Sequence, residues 1–395
     1  MKHRSVQEMF SGVAAEFGPR VAIEHGGRIL TYSELEAESN RLANFLLDGG
    51  LHRGGMVGLF TDDPAAVITG ILGVLKAGGV FVPLDPTFPE RRLQVLSGQV
   101  RPEWFVSAGR HLEKLRRLRG ETSARARVIC LDGQDDISGF AADGLEVLES
   151  FGSYDITAHP AVEYDPDVPC SVYFTSGSTG TPKAILGRLK GIDHFMKWEI
   201  EAVGAGPGTR VSQLASPSFD GFLKDAFVPL CSGGTVCAPA SRDIILDARS
   251  LADWLDVEQV EVLHCVPSIF RALTNEGLNG DYFGAMKSIV MTGEPLYPAD
   301  VKRWMDIFGE RIRLFNIYGT TETSLSKFAY EVRAEDVERP SIPVGRPIKG
   351  AAVMVINSRG QVCREEAVGE IHIRTPYRSH GYYGEPELTK EVFIQ

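Results

Sequence analysis

Apolar positions in the first part of the chain alternate between two rhythms. In "LTYSELEAESNRLANFLLDGG" they fall at helical spacing, behind a capping-box pair at Thr31 and Glu34 and before a Gly49-Gly50 stop. "MVGLF" (56–60) is a short apolar strand. "DPAAVITGILGVLKAGG" is a helix closed by Gly78 and Gly79, and "VFVPL" (80–84) is the next strand. Strand, helix and strand in this order predict a parallel α/β sheet. The pattern returns later. "ILDARSLADWLDVEQ" is helical, "VEVLHCVP" extended, "YPADVKRWMDIFG" helical and "RLFNIYG" extended, which predicts a second α/β unit. From about Ser341 the texture changes to Val, Ile and turn residues without a helical period, which predicts a small β-structure. The expected units are residues 1–190, 191–340 and 341–395. No internal repeat or low-complexity linker interrupts them.

A chain of 395 residues exceeds one hydrophobic core, in keeping with this division. With 43% hydrophobic and 24% charged residues it has the composition of a globular protein. A net charge of -11 argues against nucleic acid or a membrane surface as partner, since both are polyanions. The basic run "RHLEKLRRLRG" (110–120) reads as a solvated helix face. The six cysteines are scattered without a CxxC pair, which argues against zinc and for reduced thiols. "MKHRSVQEMF" has no apolar signal region, so a cytoplasmic location is expected.

The chemistry concentrates in "TSGSTGTPK", Thr175 to Lys183, which follows the apolar "SVYF". Wrapping backbone around phosphate needs positive φ, small side chains and open N–H groups. Gly177 and Gly180 supply the first; Ser176, Ser178, Thr179 and Thr181 add hydroxyls, and Lys183 a charge. This is not the P-loop of kinases and GTPases, where glycine precedes the lysine and a helix follows. Here Pro182 precedes Lys183, so the segment is expected to join two strands and fold over a nucleotide.

The stretch "YFTSGSTGTPKAI" resembles the phosphate-loop signature of the adenylate-forming superfamily, which includes acyl-CoA synthetases, luciferases and adenylation domains of nonribosomal peptide synthetases. The likeness spans nearly the whole chain. "LTYSEL" (30–35), "LKAGGVFVPLDPTFP" (75–89), "SFDGF" (218–222), "GEPL" (293–296), "NIYGTTE" (316–322), "PVGRPI" (343–348) and "GEIHIRTPYRSHGYYGEPELT" (369–389) fit successive motifs of peptide-synthetase adenylation domains. The resemblance implies an acyl-CoA-synthetase-like large domain: two α/β subdomains with layered sheets and helices, plus a small distorted β-barrel. It also implies ATP and Mg2+ as cofactors, and a reaction in which a carboxylate attacks the α-phosphate and pyrophosphate leaves.

The family's roles carry over by position. Thr175, Ser176, Gly177, Ser178, Thr179, Gly180 and Lys183 would hold the β- and γ-phosphates; Thr321 would meet the α-phosphate; Glu322 would bind Mg2+. Lys183, Thr321 and Glu322 are the expected catalytic residues. Tyr318 would stack on adenine, lined by Asn316 and the Gly293–Glu294 backbone, with Gly319 and Thr320 beside the nucleotide. Asp220 would pair with a substrate α-ammonium, which distinguishes amino-acid-activating relatives from fatty- and aryl-acid ones; its other reading is an N-cap before "GFLKDAF". The pocket positions are Asp220, Gly221, Lys224, Cys265, Val290, Thr292, Ile317, Leu325 and Ser326. An inward Lys224 would favour a side chain carrying a carboxylate or carbonyl; an outward, solvated one is the alternative.

Two departures from the family pattern stand out. The histidine often found seven residues after the phosphate-loop lysine is Lys190 here, with His194 nearby. The sequence also stops at "KEVFIQ", before the family's "TGD" motif, hinge and C-terminal small domain. The expectation is a truncated N-terminal core with low activity of its own. Its partners would be an amino-acid substrate, a peptidyl carrier protein with its phosphopantetheine arm, and neighbouring synthetase domains. An acyl- or aryl-CoA ligase core and a non-catalytic binding module are the competing readings.

Overall fold

The computed structural model describes residues 4–119, 126–132, 145–148, 151, 153–175, 182–365 and 367–394. Local signals set the first helices. Thr31 Oγ1 accepts from Glu34 N at 3.3 Å, and the Glu34 carboxylate accepts from Thr31 N at 2.8 Å, which starts the helix Tyr32–Asp48. Asp63 caps the helix Pro64–Lys76 by accepting from Ala66 N. These two helices are tied by Lys76, whose buried ammonium donates to Glu36, Ser39 and Asn40 at 2.6–2.8 Å. Burial pulls Lys76 down to about 8 against the opposing pull of Glu36.

Two large sheets organise the chain. The eight-stranded sheet runs Gly381–Tyr382, Lys183–Arg188, Pro169–Thr175, Val80–Pro83, Met56–Phe60, Trp104–Ser107, Ala126–Cys130, Leu145–Val147. Its last six strands are mutually parallel; Lys183–Arg188 pairs antiparallel with the first of these, Pro169–Thr175, and Gly381–Tyr382 pairs antiparallel with Lys183–Arg188. The nine-stranded sheet runs Arg346–Pro347, Ser326–Val332, Arg313–Gly319, Ser288–Met291, Val262–Cys265, Arg210–Ser212, Thr235–Ala238, Val21–His25, Arg28–Thr31. Its interior is parallel and both edges antiparallel. One continuous core joins apolar residues of both sheets with those of Tyr32–Asp48, Pro64–Lys76, Leu189–Val203 and Gly221–Leu230. The helices therefore form a layer between the sheets.

Three details differ from the sequence pattern. Residues 1–190 do not fold as one unit, because the hairpin Val21–Thr31 pairs with Thr235–Ala238 at the edge of the second sheet. The expected helix "ILDARSLADWLDVEQ" is two, Arg242–Leu246 and Ala248–Val257. Asp247 between them is extended and caps the second by accepting from Ser250 N. The segment after Ser341, expected as a small distorted β-barrel, holds the antiparallel pair Ala352–Ile356 and Glu370–Arg374. It then returns Gly381–Tyr382 to the edge of the first sheet and ends in the helix Pro386–Val392. Among the described residues no helix is long and apolar enough to cross a membrane.

Candidate active site

The strands Pro169–Thr175 and Lys183–Arg188 form an antiparallel pair with Thr175 opposite Lys183. The connection expected after Thr175 thus joins two strands. Ser176, Gly177, Ser178, Thr179, Gly180 and Thr181 themselves lie outside the described residues. From its strand end Lys183 sends Nζ to 5.1 Å from the ring centroid of Tyr382. Tyr382 Oη in turn donates to Glu322 Oε1 at 2.8 Å. Hairpin lysine and acidic turn, 139 positions apart (322 − 183), meet across one tyrosine ring. Tyr382 was not among the residues expected at the site. The signal for it was the "GYYG" aromatic pair in the last motif, whose strand pairs with the lysine's own. Replacing Tyr382 by Phe is expected to weaken ATP binding about tenfold to a hundredfold, the worth of one hydrogen bond to a charged group, with the fold retained; calorimetric titration with a non-hydrolysable ATP analogue measures it.

The Glu322 turn begins where Arg313–Gly319 ends. Gly319 is required by close approach, since a Cβ there would stand 2.4 Å from Leu325 O. Residues 321–323 form a single 3-10 turn. Ser324 and Leu325 follow with φ of 62° and 63°, two consecutive non-glycine residues in the left-handed region. Each costs roughly 1–2 kcal/mol, so the surroundings hold this turn in place. One constraint is Gly191, where a Cβ would sit 2.6 Å from the Ser324 side chain.

A narrow cleft connects hairpin, turn and acid. Its lining includes Tyr173, Ile185, Arg188, Asp220, Thr321 and Leu325. Asp220 is half-buried and immediately precedes the helix Gly221–Leu230, but its side chain makes no capping bond. It accepts instead from the Thr321 side chain; burial raises its carboxyl above the usual range, and Thr321 and the charge of Lys327 partly offset this. A Cβ at Gly221 would meet nothing within 4 Å, so open space adjoins the acid. A larger cavity of about 240 Å³ lies elsewhere, lined by residues such as His25, Arg28, Thr61, Asp63, Ser107 and Arg110. Its charged groups pair with acids around it: Arg110 with Asp62, and Arg28 with Asp63.

The other expected pocket positions line up along neighbouring strand ends. Cys265, Val290, Ile317, Leu325 and Ser326 are buried, and Thr292 is half-buried. Cys265 pairs in register with Met291, and Met291 with Asn316, so Cys265, Val290 and Ile317 lie toward the carboxyl ends of adjacent parallel strands, with Leu325 and Ser326 at the start of the neighbouring antiparallel one. That is where open α/β sheets bind ligands. Lys224 points inward, with its side chain only 5% exposed, so the solvated alternative does not hold. Behind it sits a buried cluster. His264 Nδ1 lies 3.1 Å from Asp225 Oδ1, its Nε2 lies 3.5 Å from Glu199 Oε1, and Lys224 Nζ lies 3.9 Å from Asp225. Burial and Lys224 push His264 down, but the two carboxylates outweigh them and its pKa is raised. Asp225 also accepts from Leu214 N and Ala215 N, which fixes the strand exit that leads to Asp220.

Among the positions expected to line the nucleotide, Asn316 is buried and its amide donates to Pro343 O at 2.9 Å. Tyr318 is half-buried, its ring 5.8 Å from Phe328. Gly293 has φ 91°, and the Glu294 carboxylate accepts from the backbone and hydroxyl of Ser268. Thr320 is exposed. Lys190, at the family's histidine position, turns away to Asp167 at 2.6 Å, while His194 stacks on Tyr377 at 3.8 Å between centroids. Among the described residues no group of three or more His, Cys, Asp or Glu could hold a metal by itself. Glu322 fits a different kind of metal site. Its Oε1 accepts from Tyr382, and Oε2 accepts from no described residue, which suits Mg2+ carried on phosphates with one protein carboxylate.

The strand pair that leads into Lys183, the Glu322 turn and the Asp220 cleft thus stand close together, the arrangement expected of an adenylate-forming enzyme. The chain belongs to the family described as AMP-binding enzyme, whose model matches residues 10–383. It is 30% identical over 384 residues to the L-2-aminoadipate reductase large subunit of Eremothecium gossypii, covering 93% of this chain and 27% of that protein. It is 27% identical over 394 residues to gramicidin S synthase 2 of Aneurinibacillus migulanus, covering 100% of this chain and 8% of that one. The chain thus spans about a quarter or less of these relatives. Its fold matches the nonribosomal peptide synthetase FmoA3 in its AMPPNP-bound form, with TM-score 0.85 and 22% identity, covering all of this chain and 40% of that one. It also matches the Klebsiella oxytoca NpsA N-terminal subdomain in complex with 3-hydroxybenzoyl-AMSN, with TM-score 0.79 and 22% identity, over 98% of this chain and 89% of that one.

Proposed function

We propose that this chain activates an amino acid as its aminoacyl-adenylate for transfer to a carrier protein in peptide assembly. The observation that carries the reading is Asp220, a carboxylate at the cleft wall, bonded to Thr321 in the turn that presents Glu322. Asp220 has no ion-pair partner at contact distance among the described residues, a carboxylate in a dry cleft wall is costly without one, and a substrate α-ammonium supplies it.

The residues divide the work. Lys183 and the hairpin hold the triphosphate. Asp220 fixes the amino end, so that the substrate carboxylate points at the α-phosphorus. A carboxylate oxygen forms the new bond to phosphorus as the bond to the pyrophosphate oxygen breaks. Most of the acceleration comes from positioning and from fixed charge around phosphate oxygens. Mg2+, when bound, neutralises phosphate charge; Glu322 Oε2 is the residue atom that would hold it.

Lys224 narrows the substrate class. Its ammonium is turned inward and has no hydrogen bond among the described residues, with Asp225 its nearest charge at 3.9 Å. An amino acid whose side chain ends in a carboxylate or carbonyl would complete it. The relatives named as aminoadipate reductases agree with such a side chain. Pyrophosphate exchange over a panel of amino, keto, hydroxy and aryl acids tests the reading. Glutamate-like and aminoadipate-like acids are expected to lead, and Lys224→Met is expected to lower their kcat/KM about 30-fold or more while improving apolar side chains. Exchange with aryl acids alone would favour the aryl-acid reading that NpsA's ligand suggests.

A further inference from the structure

Four ionisable side chains meet behind the substrate pocket, none more than 5% exposed. Glu199 comes from the helix Leu189–Val203, Lys224 and Asp225 from Gly221–Leu230, and His264 from the strand Val262–Cys265. The imidazole stands between two acids, with Nδ1 3.1 Å from Asp225 Oδ1 and Nε2 3.5 Å from Glu199 Oε1. Only a doubly protonated ring offers a proton to an acid on each side. The strands beside His264 bring no further charge to it. They place Val290 next to it in register and give the Ser212 hydroxyl, which accepts from His264 N. The adjoining Cys265 thiol is kept neutral by burial.

With His264 protonated, two positive charges face two negative ones, so the cluster is balanced before a substrate arrives. The two acids differ in what depends on them. Asp225 Oδ2 accepts from Leu214 N and Ala215 N at 3.0 Å each, and Oδ1 faces His264 and Lys224. Neither oxygen of Glu199 takes a hydrogen bond among the described residues, so no backbone donor is stranded if it is neutralised. An acidic side chain brought to Lys224 adds one negative charge to a dry, balanced group, which is costly unless a positive charge comes with it. We propose that an acidic substrate side chain binds at Lys224 together with one proton, taken from solvent onto the Glu199 carboxylate, whereas a neutral carbonyl side chain binds without one. Glu199 thus sets the charge that the pocket accepts, acting from behind His264. The inference rests on the assignment of Lys224 to the substrate side chain.

The test is calorimetric titration without ATP, using the best acidic amino acid from the exchange panel and its side-chain amide. Buffers of different ionisation enthalpy give the protons taken up. Both ligands carry the same α-groups, so their difference isolates the side chain. The acid is expected to take up about one proton more than the amide, and to lose about tenfold in affinity relative to it per unit rise in pH near neutrality. Glu199→Gln removes one negative charge and is expected to abolish both differences. Equal uptake by acid and amide, or a difference that persists in Glu199→Gln, overturns the proposal. An isotope-labelled side-chain carboxyl, followed by NMR in the complex, needs no variant: it should keep the signal of an ionised carboxylate, and a protonated one overturns the assignment to Glu199. If no acidic amino acid binds, the Lys224 reading falls as well, whereas binding without uptake removes this inference alone. A ligand-free measurement separates the two further. In Glu199→Gln the His264 ring should lose its proton about one pH unit lower or more, read by NMR with His264→Asn identifying its signal. An unmoved titration breaks the link between Glu199 and His264, whatever acid the chain activates.

Discussion

Glu322→Gln is expected to lower adenylate formation by about a hundredfold to a thousandfold while leaving the fold intact. The size follows from removing one preorganised charge at phosphate oxygens, a loss of about 2.7–4 kcal/mol of transition-state stabilisation. The selectivity follows from the neighbours. Glu322 is half-buried, and its bond from Tyr382 Oη can be kept by the glutamine carbonyl. Unfolding midpoints should therefore stay close to those of the unaltered chain, a change of about 0.5 kcal/mol or less. Lys183→Ala acts on the same triphosphate from the hairpin side and loses in addition its contact with the Tyr382 ring, worth about 0.5–1 kcal/mol at such a site. Single-turnover formation of the acyl-adenylate, with ATP in excess, reads the chemical step directly. Excess chelator should reproduce the Glu322→Gln loss in the unaltered chain and add little to it in the variant. A variant that unfolds, or that keeps full activity, would remove Glu322 from the site.

Much of the fold was legible because its signals are local. The Thr31–Glu34 box, the Asp63 cap and the paired glycines sit within a few residues of what they start or stop. Pro182 likewise marks the hairpin, since an extended residue before Lys183 leads into a strand. What was not legible depends on distant partners. Nothing in "VAIEHGGRILT" reveals that it pairs with Thr235–Ala238, over 200 positions away (235 − 25 = 210). The break at Asp247 is local, but a single aspartate inside an apolar helical rhythm reads as a surface residue until its extended backbone is known.

The same contrast holds for the site. Motif order points to Asp220, Thr321 and Glu322, and the structure brings Asp220 and Thr321 to one cleft with the hairpin strands, while Glu322 sits in the same turn as Thr321. Lys327 is different. In "SKFAYEV" a lysine beside alternating apolar residues reads as the wet face of an edge strand. Its burial depends on Ser324 turning a carbonyl inward through a left-handed backbone, a conformation that serine does not announce. Lys224 was ambiguous for a similar reason: helical spacing alone does not say which side of "GFLKDAF" faces the Glu199–His264–Asp225 cluster.

Asp220→Asn is expected to lower kcat/KM for the amino acid about a hundredfold and to invert the preference between it and the corresponding hydroxy acid. With asparagine in place the incoming ammonium has no carboxylate to pair with, and an unpaired charge in a dry site is costly. A hydroxyl can still bond to the asparagine carbonyl, so the hydroxy acid should lose only a few-fold. The pH dependence carries a sign that checks the same assignment. Burial raises Asp220 above the ordinary carboxylate range, so its charged form is reached at higher pH than for a free carboxyl. Amino-acid binding needs that charged form. The KM for the amino acid should therefore fall as pH rises through the raised pKa and then level off. Asp220→Asn should abolish the slope, and the hydroxy acid should show a weaker one in the unaltered chain. A slope that survives in Asp220→Asn would place the titrating group elsewhere and return Asp220 to a structural role.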